Sequence, residues 1–170
     1  MAIFILGVSL GHSEFDGSWR EGTDSRGRAG VLARIYYNGV KTIKYCNFSC
    51  APVNRVDDYE ACVLTGKVET NLRITGPIQA SPYYQEFKFD NVWKNSNIYD
   101  ILQSDVDIQF MDGSMATVTV EQMKEFLPKA QQEMNETKKK DDNYKWGFSV
   151  LFLLGLYLLM KGFVWIVKSL

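Results

Sequence analysis

Val31–Cys46 reads VLARIYYNGVKTIKYC. Val31–Tyr37 and Val40–Cys46 are rich in the β-branched and aromatic residues that suit a pleated surface. The link between them, Asn38-Gly39, is the strongest short signal for a β-hairpin, because both of its positions favour positive φ. On the second run Val40, Thr42, Lys44 and Cys46 share one face, and Lys41, Ile43 and Tyr45 share the other. Neither face is cleanly apolar, so the pair is either covered on both sides or placed at a sheet edge.

Upstream, Ala2–Leu10 (AIFILGVSL) is an apolar run that reads as a buried strand. As a signal peptide it lacks a basic leader, since the first basic residue is Arg20. Gly11–Gly30 follows neither a helical nor a strand period and reads as a long loop. Its two large apolar groups, Phe15 and Trp19, need burial in the core or against a partner.

Downstream, Asn47–Asp58 reads as a connection. Ala61–Thr65 and Val68–Thr75 form a second strand pair across Gly66-Lys67, and Gly76-Pro77 is a turn. Tyr83–Phe89 alternates as a strand. Ser96 caps a short helix in which Ile98, Ile101 and Leu102 share a face. Val106–Met111 and Met115–Val120 make a second hairpin around Asp112-Gly113. The pattern then turns helical: Thr119 with Gln122 fits a capping box, and Met123, Phe126 and Leu127 give an apolar stripe. Pro128 ends or kinks this helix, or starts the next. Residues 128–145 form a polar, partly helical stalk.

Trp146–Val167 (WGFSVLFLLGLYLLMKGFVWIV) is apolar all round and carries one charge, Lys161. As a helix it measures about 33 Å, against a hydrocarbon core of about 30 Å. Trp146, Tyr157 and Trp165 supply aromatic rings, the Trp pair falling at the two headgroup levels, and Lys161 extends its ammonium toward the interface beside Lys168. Gly147, Gly155 and Gly162 fall near one helix face and suit close approach of another membrane helix. The chain ends three residues later, which predicts a tail anchor. Lys138, Lys139, Lys140 and Lys145 precede it and are placed to hold anionic headgroups. The same lysines favour a cytosolic or matrix-side domain. The expected architecture is mainly β: a small antiparallel β-sandwich or barrel-like domain (1–127) with one or two short helices, the stalk, and one transmembrane helix (146–167).

Of the 170 residues 19 are basic and 20 acidic, so no basic field points to nucleic acid. Gly7-Val8-Ser9-Leu10-Gly11 matches the G-x-S-x-G nucleophile elbow, but the lone histidine, His12, is too near in sequence to serve as its base. Cys46, Cys50 and Cys62 do not have the spacing of a zinc site and read as small buried residues, with one disulfide as the competing reading. Asn47-Phe48-Ser49 and Asn135-Glu136-Thr137 match the glycosylation pattern, which matters only for a lumenal domain. No catalytic set, cofactor or small-molecule substrate emerges.

The expected function is therefore a non-catalytic, tail-anchored accessory subunit of a larger membrane assembly, partnered by lipid and other subunits. A respiratory-chain complex of the mitochondrial inner membrane is the first assignment. The alternative is a single-pass surface or viral-envelope glycoprotein whose β-sandwich ectodomain binds a partner; it requires a signal peptide, glycans and a disulfide.

Overall fold

A computed structural model describes residues 2–16 and 18–140. Its strands are β1 (Phe4–Ser13), β2 (Trp19–Glu21), β3 (Arg28–Tyr37), β4 (Ile43–Val53), β5 (Thr70–Ile78), β6 (Ser81–Lys94), β7 (Asp100–Gln103), β8 (Val106–Phe110) and β9 (Met115–Val118). One helix, α1, runs over 120–140. All strand pairs are antiparallel and fall in two sheets. The first is ordered β2-β1-β3-β6 and the second β5-β4-β8-β9, with β7 pairing the far half of β4. Both sheets and the start of α1 lie in the compact unit Met1–Ala130; Gln131 begins a second unit. The membrane-anchor residues proposed from sequence lie outside the described residues. Among the described residues no helix is long and apolar enough to cross a membrane.

The core follows from period-2 alternation. Phe4, Leu6 and Leu10 of β1 and Val31, Ala33, Ile35 and Tyr37 of β3 join Cys46, Phe48 and Cys50 of β4, Ile74 and Ile78 of β5, and Val106 and Ile108 of β8 in one apolar cluster. The opposite face of β4 is polar: Arg73 of β5 donates to the Asn47 Oδ1 at 2.7 Å and lies 5.0 Å from the Tyr45 ring. In β3 both faces are buried, since Leu32 and Tyr36 are only 2% exposed. The apolar run Ala2–Leu10 supplies β1, as its strand reading expects.

The hairpin across Asn38-Gly39 does not form. β3 pairs β1 and β6, whereas β4 pairs β5, β7 and β8, so the two runs belong to different sheets. The residues of the link serve other contacts. Asn38 is tied to the start of β1, accepting from the Ile3 amide at 2.6 Å and donating to its carbonyl at 3.2 Å. The Tyr37 ring enters the core 6.4 Å from Phe4, and its hydroxyl donates to the Lys41 carbonyl at 2.6 Å. Gly39 does not adopt positive φ; a Cβ there would collide with the Tyr37 ring. Glycine is needed for close approach rather than for a left-handed turn.

Other boundaries also move. Residues 47–53, read as a connection, belong to β4, and β2 lies inside the expected Gly11–Gly30 loop. Ala61–Thr65 is no strand; Cys62 instead starts a tight turn in which the Gly66 amide donates to its carbonyl. Gly76-Pro77 lies within β5, where the ladder to β4 is irregular and a Cβ at Gly76 would meet the Ile43 carbonyl. Proline is tolerated there because β5 is an edge strand. The short helix after Ser96 is replaced by β7: Ile98 and Ile101 are buried, but Leu102 points out. Pairing with β4 outweighs a weak three-residue helical signal.

The Asp112-Gly113 hairpin forms, with Val106 opposite Val118, Ile108 opposite Ala116, and Gly113 at φ +84°. The capping box also forms: the Thr119 amide donates to the Gln122 Oε1 at 3.0 Å and the Gln122 amide to the Thr119 Oγ1 at 3.2 Å. On α1 the buried positions are Met123, Phe126 and Ala130, while Leu127 is partly exposed. α1 stays helical on both sides of Pro128, so no second helix begins there. The β1 edge is closed by side chains: the Leu6 amide points to the Met123 sulfur at 3.4 Å, and the Gln103 Nε2 donates to the Leu6 carbonyl at 2.9 Å.

Gly30 offers a direct test of this packing. A Cβ there would collide with the Phe89 carbonyl and approach the Trp19 ring at 3.1 Å, whereas Gly7 has open space around it. Gly30→Ala is expected to destabilise the fold by about 1–3 kcal/mol in urea unfolding, and Gly7→Ala to stay within about 0.5 kcal/mol of wild type.

Candidate partner-binding surface

At one end of the sheets, three connections surround a cleft of about 880 Å³: Glu21–Thr23, Asn54–Val56 with Glu60, and Ser96–Asp100. The loop after β4 is built around Asn54. Its Oδ1 accepts the Val56 amide at 2.9 Å and the Asp58 amide at 3.1 Å, its own amide donates to the Asp58 carbonyl, and Asp57 takes φ +61°. This is the local bonding that lets Asn organise a turn. The Glu60 carboxylate then clamps two loops together, accepting from the Asn54 Nδ2 at 3.1 Å and the Asn95 Nδ2 at 2.8 Å. Asn95 in turn accepts the Asn97 amide, and the Tyr99 amide donates to the Val53 carbonyl at 2.8 Å.

On this braced frame stand large groups that the core does not use. Val56 is 73% exposed, and Tyr59 and Tyr99 are each 63% exposed. The Arg55 guanidinium lies 5.6 Å from the centre of the Tyr99 ring. Tyr59 and Leu102 line an adjoining hollow of about 360 Å³. Tyrosine and arginine beside aliphatic groups, on loops already ordered, are the composition of a protein-binding patch that loses little entropy on docking. The sequence reading missed these residues because it placed Arg55 and Val56 in a connection and Tyr99 and Leu102 in a short helix, and gave Tyr59 no element. The available signal was isolated large apolar residues among Asn and Asp.

The two partner contacts expected from sequence fare differently. Phe15 is fully exposed at the β1–β2 turn. Trp19 is half-buried: its indole lies over Gly11 and Gly30, which are register partners across β1 and β3. Lys138, Lys139 and Lys140 are exposed on α1. Lys145 and the anchor positions Trp146, Gly147, Gly155, Tyr157, Lys161, Gly162, Trp165 and Lys168 lie outside the described residues.

Ser9 sits in mid-strand opposite Leu32, not in a strand-to-helix turn. The His12 ring nitrogens face the Glu14 carboxylate at 3.2 Å and the Gly22 carbonyl at 3.4 Å. Cys46, Cys50 and Cys62 are all free and buried. Burial pushes the Cys46 and Cys50 thiols up to about 12. At Cys62 burial acts in the same direction, but hydrogen bonds from the Thr65 hydroxyl and the Lys94, Thr65 and Leu64 amides outweigh it and bring the thiol down to about 7. Among the described residues no group of His, Cys, Asp and Glu is arranged to hold a metal ion. Comparison of the chain with protein families, with characterised proteins and with solved structures finds no match.

Two outcomes follow from these environments. Alkylation of the native protein at pH 8 is expected to modify Cys62 first, with Cys46 and Cys50 reacting only on unfolding, as read by peptide mass spectrometry. The second concerns acid. The Arg28 amide and side chain hold Asp24 down to about 2, and the Lys41 ammonium, with Ser114, holds Asp112 well below the usual carboxylate range. Carboxylates depressed in the folded state stabilise it above their unfolded value near 4, and that stability is lost as pH falls through the folded value. Melting temperature should therefore drop between about pH 4 and pH 2, and less steeply in Asp24→Asn.

Proposed function

We propose that the chain is a membrane-anchored, non-catalytic subunit of a larger membrane assembly. Its β-sandwich domain sits on the cytosolic or matrix side and docks a partner subunit through the braced loop end. The observation that carries the reading is the set Val56, Tyr59, Tyr99 and Arg55, exposed on loops held by the Glu60 clamp. The apolar run 146–167 supports the anchor, and the exposed lysines 138–140 support a headgroup-facing approach to it.

Two observations favour this over a surface glycoprotein. The three thiols are unpaired and buried, which suits a reducing compartment. Asn47 lies in a central strand with its side chain bonded to Arg73, whereas glycan acceptors belong on surface loops.

The test is native electrophoresis of mildly solubilised membranes. The chain should migrate in a complex larger than itself, and Val56→Ser combined with Tyr99→Ala should weaken that association by about 1–3 kcal/mol without lowering the melting temperature. A chain that migrates alone, or a complex indifferent to the double substitution, would overturn the proposal. Alkaline extraction that releases the full-length chain from membranes would overturn the anchor.

A further inference from the structure

The braced loop end carries charge of one sign. Glu21, Glu60 and Asp100 line its cleft, and Asp57 and Asp58 stand on the same loop as Glu60. All but Glu60 are exposed. Among the described residues none of the five is in an ion pair. The one cation of the lining, Arg55, rests over the Tyr99 ring instead. The whole chain is nearly balanced, with 19 basic and 20 acidic residues, so the excess here is local. A cleft lined by one sign of charge focuses the field and draws the opposite charge toward it.

The chemistry of the occupant follows from what stands beside these carboxylates. Tyr59 and Tyr99 are exposed, and a tyrosine ring offers its face to an ammonium or guanidinium group. Arg55, 5.6 Å from the centre of the Tyr99 ring, makes that contact within the chain. The carboxylates are spread over three connections, and among the described residues no group is arranged to hold a metal ion. They suit several cations spaced along a segment rather than one ion in a cage. Val56 adds an aliphatic contact for the stems of such side chains. An anionic headgroup surface meets only repulsion here.

We infer that this end takes a lysine- and arginine-bearing loop of the partner membrane subunit, an inference that rests on the docking role proposed above. The side of the membrane supplies the occupant. Short loops on the cytosolic or matrix side of membrane proteins carry an excess of lysine and arginine close to their spans. The acidic cleft therefore reads the same charge bias that orients the partner in the bilayer. Val56 and the tyrosine rings hold the segment, while the carboxylates speed encounter and set its register.

The test is native electrophoresis of mildly solubilised membranes holding the full-length chain, with charge as the variable. The neutralised variant D57N/D58N/D100N keeps the side-chain shapes, and asparagine tolerates the φ of +61° at position 57. It should weaken the complex about tenfold with an unchanged melting temperature. In the wild type, raising salt from about 50 to about 300 mM should loosen the complex, whereas a purely apolar contact is not loosened by salt. This second measurement stands even if the variant folds poorly. A complex that Val56→Ser with Tyr99→Ala weakens, but that neither salt nor the neutralised variant affects, overturns the inference and leaves the docking role standing. So does carbodiimide cross-linking that joins Asp57, Asp58 or Asp100 to Lys138, Lys139 or Lys140 of the same chain, because the cleft would then be capped from within. A wild-type chain that migrates alone removes the docking role and this inference together.

Discussion

The fold depends on where the chain leaves β3. Tyr37 closes that strand with its ring in the core and its hydroxyl bonded to the Lys41 carbonyl, while Asn38 is held by both backbone groups of Ile3. These contacts send residues 38–42 from one sheet to the other, so β3 and β4 face each other through the core instead of lying side by side. Each is then free to take two neighbours in its own sheet, and the apolar faces of both sheets meet in one cluster. A hairpin at this point would have satisfied a few ladder bonds and left the same apolar faces without a second layer.

The two Asx-Gly dipeptides of this chain show how one local signal can have two outcomes. Asp112-Gly113 lies between short strands, and the contacts of the Asp112 carboxylate with Ser114 and Lys41 are compatible with the turn. Gly113 takes φ +84°, its amide bonds the Phe110 carbonyl, and the hairpin closes. Asn38-Gly39 has the stronger local preference, but its flanking strands carry buried residues on both faces and are paired elsewhere along their length. Burying one large apolar side chain is worth about 1.5–3 kcal/mol, and several on these strands depend on the pairing that is formed. The competition is decided by the core.

Rigid support and exposed chemistry coincide at the loop end. Glu60, Asn54 and Asn95 form a polar brace, and the groups it presents are aromatic, aliphatic and guanidinium. The side chains that close the β1 edge, Met123 and Gln103, lie elsewhere in the fold and serve stability. Large exposed groups are thus concentrated where the backbone is ordered, which is the separation that the proposed docking role requires.

Much of the architecture was legible from local pattern. The alternating runs of β3, β4, β6, β8 and β9, the capping box at Thr119–Gln122 and the buried cysteines need only period-2 burial and short-range hydrogen bonds. The apolar length of 146–167 is likewise a property of composition alone. What local pattern could not supply was pairing. Asp100–Gln103 became a strand because β4 offered its far half, Ala61–Thr65 lost strand character because no neighbour was available, and Trp19 found its place over two glycines brought opposite each other by the β1–β3 register. The exposed set at Val56, Tyr59 and Tyr99 is defined by which apolar residues the core leaves out. Alternation and composition are carried by neighbouring residues, so the sequence by itself determined a mainly β chain with a polar approach to an apolar run. Strand partners, sheet membership and the exposed set at the loop end join residues far apart in the chain, so only the tertiary structure decided them.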